Sequence, residues 1–94
     1  MSENVIRVNL IVRGKVQGVC YRAFSEDMAN KYSIKGYVKN LSSGDVEITA
    51  EGDRKNIESF VSKLWEGPPM AIVRDIRKSE DKYKEEFRDF SVKF

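Results

Sequence analysis

The spacing of apolar residues switches between a period of two and a period of 3.6 along this chain, and the order of those switches limits what it can fold into. Ile6, Val8, Leu10 and Val12 alternate with Arg7, Asn9, Ile11 and Arg13, the period of a strand with one buried face. Tyr21, Phe24, Met28 and Tyr32, with Ala29 beside them, then follow helical spacing. The period returns to two at Ile34, Gly36 and Val38, and again at Val46, Ile48 and Ala50. The turn chemistry of "LSSGD" lies between these two runs. A second helical stripe follows at Ile57, Phe60, Val61, Leu64 and Trp65, opened by Asp53 as a cap and closed by "EGPP". A strand is predicted near Ile72 to Lys78. The charged "SEDKYKEE" reads as a loop or ragged turn, and Phe90, Val92 and Phe94 form a short last strand.

Strand, helix, strand, strand, helix, strand is the order of a ferredoxin-like βαββαβ sandwich, an α/β (α+β) fold. Two helices with one apolar stripe each would cover one face of an antiparallel sheet, and the short C-terminal strand is an addition. Ninety-four residues fit one domain, 1–94. A right-handed crossover makes the first two strands parallel, with the third between them. The loop from Gly14 to Arg22 and the segment around Asn40 then open onto the same end of the sheet, where ligand clefts are common.

Composition narrows the chemistry. A net charge of +2 with interspersed acids and bases is no footprint for nucleic acid. One cysteine and no histidine leave no internal disulfide and no multi-cysteine zinc site. The polar opening "MSENVIRVNL" does not read as a signal peptide, and no apolar run approaches a membrane span. A cytoplasmic, metal-free monomer without nucleic-acid or membrane partners is expected.

The junction "VRGKVQGVCYR" carries the functional signal. A helix begins there without a Ser, Thr, Asp or Asn between Gly14 and Phe24, and with Arg22 in its first turn. The first N–H groups of a helix need an acceptor, and a cation there opposes the helix dipole by about 0.3–1 kcal/mol when exposed. A bound anion answers both difficulties: its oxygens accept from the amides, and its charge suits Arg22. Gly14 and Gly18 would let the backbone approach closely. The alternative is an ordinary loop with solvated amides and Arg22 on the surface. The spacing is neither a Walker loop nor a dinucleotide fingerprint.

"VRGKVQGVCYR" resembles the first signature of the acylphosphatase family, and "GYVKNLSSGDVEITAEG" resembles the second. "ANKYSIKG" and "EGPPMAIVRDI" fit the family's run as well, so the resemblance covers nearly the whole chain. It implies a ferredoxin-like fold and hydrolysis of small acyl phosphates to a carboxylate and inorganic phosphate, the latter also an inhibitor, with no metal or cofactor. By that resemblance Arg22 binds the substrate phosphate, helped by loop amides of Lys15, Val16, Gln17, Gly18, Val19, Cys20 and Tyr21, and Asn40 orients the attacking water. The residues agree in kind: no histidine base or nucleophile triad is offered, and water attack on phosphorus is mostly positioning and charge stabilisation. An amide is a poor base, yet it can both donate to and accept from a water.

Two positions depart from the family pattern. Tyr21 stands where phenylalanine is more frequent, and Leu41 where a small polar residue is. A non-catalytic phosphate-binding module of the same fold is the alternative reading, and a relative of the acylphosphatase-like domain of carbamoyl-transferring maturation proteins is a third. Cys20 is expected to be a small packing residue. Glu26, Asp27, Glu85 and Glu86 are expected on solvated surface, and Met28 and Trp65 in the core. Tyr37 between Lys35 and Lys39 alternates like an RNA-stacking strand, but the paired aromatic signature strands of an RNA-recognition motif are absent.

Overall fold

The computed structural model describes residues 4–94, so the first three residues of the polar opening stretch lie outside it. The elements run β1 (Val5–Lys15), α1 (Tyr21–Lys31), β2 (Lys35–Asn40), β3 (Val46–Asp53), α2 (Arg54–Glu66), β4 (Ile72–Lys82) and β5 (Phe90–Lys93). They form one sheet in the order β4-β1-β3-β2-β5. This is the ferredoxin-like fold expected. Alternation in β1 places Ile6, Val8, Leu10 and Val12 in the core, where they meet Val38, Val46, Ile48 and Ala50 of the neighbouring strands. Tyr21 and Ala29 of α1 and Ile57, Phe60 and Leu64 of α2 close over that same face.

β3 is antiparallel to both β1 and β2, so β1 and β2 run parallel, as the crossover requires. The sheet is not antiparallel throughout, however. β5 joins the outer edge of β2 in parallel register, Gly36 opposite Phe90 through Lys39 opposite Lys93. The carboxyl ends of β1, β2 and β5 therefore all emerge at one end of the sheet, beside the start of α1.

The strand predicted to stop near Lys78 continues to Lys82, so the first part of "SEDKYKEE" is paired with β1, down to Lys82 opposite Ile6. Its side chains there are exposed, and backbone pairing rather than burial keeps it extended. The register of β1 on β4 shifts between Arg13 and Gly14. Gly14 has φ +132°, and a Cβ there would stand 2.1 Å from the Ile72 carbonyl oxygen, so this bulge needs glycine.

Trp65 is 45% exposed rather than in the core. The stripe of α2 narrows to Ile57, Phe60 and Leu64. Met28 is half-buried against the core. Ser25, which no apolar pattern would select, is wholly buried, its hydroxyl donating to the Tyr21 carbonyl at 2.9 Å.

The open face of the sheet is polar and bonded to itself. Glu51, 2% exposed, accepts from the amides of Lys84 at 2.8 Å and Glu86 at 3.1 Å, and from Arg7 at 3.2 Å. Arg7 also pairs with Glu86. The segment after β4 is thus strapped across the sheet, and Glu86 has a structural role beyond solvation. Tyr37 is no free stacking platform: its ring meets Phe87 edge-on at 5.9 Å and Lys93 Nζ at 4.1 Å.

Candidate active site

α1 begins as the sequence suggested. Its cap position is Cys20, at φ 66° and ψ 23°, with no side-chain hydrogen bond to the helix and no acid in the first turn. The first helical bond runs from the Phe24 amide to the Cys20 carbonyl at 3.0 Å, and the N–H groups ahead of it have no intrahelical acceptor. α2 supplies the contrast: Asp53 Oδ1 accepts from the Lys55 amide at 2.9 Å. The chain bends through 17–20 between β1 and α1, with left-handed backbone at Gly18 (φ 73°) and Cys20. A Cβ on Gly18 would meet nothing within 4 Å, so glycine serves conformation there, not close packing.

Above this helix end lies a cleft of about 390 Å³, bounded by the bend, the carboxyl end of β2 and the end of β5. It brings Arg22 and Asn40 together, though 18 positions separate them in the chain. Arg22 Nη1 donates to the Lys93 carbonyl at 2.8 Å, and its guanidinium carbon stands 4.7 Å from the centre of the Phe94 ring. One nitrogen is thereby engaged; the remaining N–H donors are available to an anion. Asn40 is half-buried at the last residue of β2, paired with Val46. Its Oδ1 is buried without a hydrogen-bond partner among the described residues. A buried acceptor in that state costs about 1–3 kcal/mol, which a donor entering the cleft would recover.

The loop residues divide by environment. Val16 and Val19 are buried and anchor the bend. Val16, Cys20 and Tyr21 line the cleft. Gly18 is exposed. Lys15 is still in β1, opposite Ile72, and lines a separate surface depression with Arg13 and Arg74. The Gln17 side chain donates to the carbonyls of Leu41 at 2.8 Å and Asp45 at 2.9 Å.

Tyr21, 1% exposed, directs its hydroxyl to the Leu64 carbonyl at 2.7 Å. That carbonyl lies in the last turn of α2, where intrahelical donors have run out. Burial raises the Tyr21 phenol above its ordinary value. Among the described residues, no group of three or more His, Cys, Asp or Glu side chains is placed to hold a metal ion, and no helix is long and apolar enough to cross a membrane.

The profile of the acylphosphatase family matches residues 8–92. This chain belongs to the acylphosphatase family. The acylphosphatase of Shewanella amazonensis is 41% identical over 86 residues, covering 92% of this chain and 94% of that protein. The crystal structure of the acylphosphatase from Bacillus subtilis is 38% identical and superposes with a TM-score of 0.92, over 95% of this chain and 99% of that one. The fold also recurs within full-length HypF, in its phosphate- and nucleotide-bound form. There 96% of this chain matches 12% of the longer one, at 35% identity and a TM-score of 0.88.

In this acylphosphatase-family chain, two expectations of the sequence need correction. Cys20 does not pack: it is exposed at the rim of the cleft, because the left-handed cap turns it outward. Glu26 is not plain surface: it is half-buried and lines the cleft one helical turn beyond Arg22. Val92 and Phe94 line it too. Their alternation revealed a strand but not its neighbour. Only the parallel pairing of β5 on β2 brings them to α1.

Proposed function

We propose that this chain hydrolyses small acyl phosphates, with Arg22 and the loop amides holding the phosphoryl group and Asn40 orienting the water. The water oxygen bonds to phosphorus, the bond from phosphorus to the carboxyl oxygen breaks, and the water's proton passes to a phosphoryl oxygen. The products are a carboxylate and inorganic phosphate. The carboxylate leaves well without protonation, so the reaction asks little of an acid and much of geometry and charge.

The observation that carries this reading is that Asn40, whose carboxamide oxygen is buried and unpartnered, lines the same cleft as the Arg22 guanidinium and an uncapped helix start. The guanidinium and amides suit phosphate. The oxygen of Asn40 suits a hydroxyl donor, not an anion, which favours water over phosphate as its partner. Family membership supports the activity.

Turnover of benzoyl phosphate, followed by loss of its ultraviolet absorbance, is the test. The purified chain should hydrolyse it, and should continue to do so in a chelator. Asn40→Ala should lower kcat by on the order of 10²-fold, in line with other positioning groups, while inhibition by inorganic phosphate stays nearly intact. Loss of phosphate affinity in that variant would make Asn40 a binding or structural residue. A chain that binds phosphate without turnover would be a non-catalytic phosphate-binding module of the same fold.

A further inference from the structure

We infer that the Gln17 side chain is a positioning residue, a clasp that ties the phosphate loop to the β2–β3 turn and so sets where Asn40 stands relative to the start of α1. The inference rests on the roles proposed for Arg22 and Asn40. Gln17 Nε2 spends both of its N–H groups on two backbone carbonyls, Leu41 at 2.8 Å and Asp45 at 2.9 Å. These carbonyls frame the turn that Asn40 enters. The Leu41 amide donates to the Asp45 carbonyl at 2.8 Å, and the Gly44 amide to the Leu41 carbonyl at 3.1 Å. Each carbonyl has two lone pairs. The hairpin's own bonds take one on each oxygen, and Gln17 takes another.

The clasp joins the two sides of the reaction. On one side, buried Val16 and Val19 hold the bend that leads into α1 and Arg22. On the other, Asn40 opposite Val46 is the last registered pair of β2 and β3, one residue before Leu41. The residues of the turn tip, 42–44, are exposed and bring little packing of their own. Without Gln17 the turn keeps its hairpin bonds but loses this direct tie to the loop. An amide is the side chain that presents two N–H groups on one nitrogen with no charge, so neither a carboxylate nor a thioether of similar length can replace it.

The test pairs Gln17→Met, which has no N–H donor, with Gln17→Glu. For benzoyl phosphate, Gln17→Met should lower kcat by between about 10- and 100-fold, the scale of a misplaced reacting group. KM and the phosphate inhibition constant should stay within roughly two-fold, as expected when only transition-state geometry is lost. Amide hydrogen exchange at Leu41 and Gly44 should accelerate in the same variant. Gln17→Glu should be worse at neutral pH, where its carboxylate faces two carbonyls. Relative to wild type at each pH, it should recover as acidification protonates the carboxyl and returns one donor.

Unchanged exchange at Leu41 and Gly44 overturns the clasp. Faster exchange with wild-type kcat overturns the positioning role, as does a fall in phosphate affinity that matches the fall in kcat. If the wild-type chain fails to hydrolyse benzoyl phosphate, the proposed activity has failed instead. The clasp is then judged by the exchange rates alone.

Discussion

Replacing Tyr21 by phenylalanine removes one oxygen and leaves the ring in place. The lost hydroxyl donates 2.7 Å to the Leu64 carbonyl in a fully buried setting. That carbonyl, in the last turn of α2, then has neither helix nor solvent to turn to. A neutral hydrogen bond contributes about 1 kcal/mol, and an orphaned buried acceptor adds to the loss, so the variant should be less stable by about 1–2 kcal/mol. In a domain of this size that lowers Tm by roughly 4–8 °C per kcal/mol.

The pH dependence provides an independent check. Burial raises the phenol's pKa in the fold, so the folded state favours the protonated ring. That contribution is fully present below the unfolded value near 10, and it is lost as pH rises from there through the folded value, at up to about 1.4 kcal/mol per pH unit. Wild type should therefore lose stability above about pH 10 more steeply than Tyr21→Phe, and the gap between them should close. Urea unfolding followed by circular dichroism at neutral pH and at several points above pH 10 measures both effects. A variant as stable as wild type at neutral pH, or a gap that widens with alkalinity, would refute the reasoning.

Other outcomes follow from the same geometry. Arg22→Lys should fail in benzoyl phosphate turnover nearly as badly as Arg22→Ala, because an ammonium lacks the planar fork; a lysine variant with most of the activity would remove the bidentate role. Gly36→Ala should unfold or lose several kcal/mol by thermal melting, in the range of severe backbone clashes, since its Cβ would stand 1.8 Å from the Thr49 carbonyl oxygen at φ +147°. Glu51→Gln sets an amide N–H against one of the two backbone N–H groups the carboxylate now receives. It should cost about 1.5–3 kcal/mol in urea unfolding and speed amide exchange at Lys84 or Glu86, with little change in kcat.

What the sequence disclosed follows the physics of each segment. The core strands were legible because one face is buried and the other is not, and period two records that difference directly. The cap of α2 was legible at Asp53. The incomplete start of α1 was equally so, because a missing cap is a local fact. β4 beyond Lys78 was hidden because it is an edge strand whose outer half buries nothing, and pairing alone leaves no apolar rhythm. β5 was visible as a strand, but alternation states which face a strand buries, never which strand lies beside it. Val92 and Phe94 at the cleft were invisible for that reason. Gln17 was placed in the loop for its amide, and its side chain went unread, because nothing in a linear string shows that two carbonyls 24 and 28 positions away converge on it.

The parallel docking of β5 has a practical consequence for anyone handling this molecule. Lys93 and Phe94 finish at the rim of the cleft, whereas Val5 pairs with Asp53 at the far end of the sheet. An affinity tag or fluorescent fusion placed after Phe94 would emerge beside Arg22 and, on the function proposed above, should slow benzoyl phosphate turnover by crowding the cleft. The same cargo attached ahead of β1 would project from the opposite pole and leave turnover undisturbed.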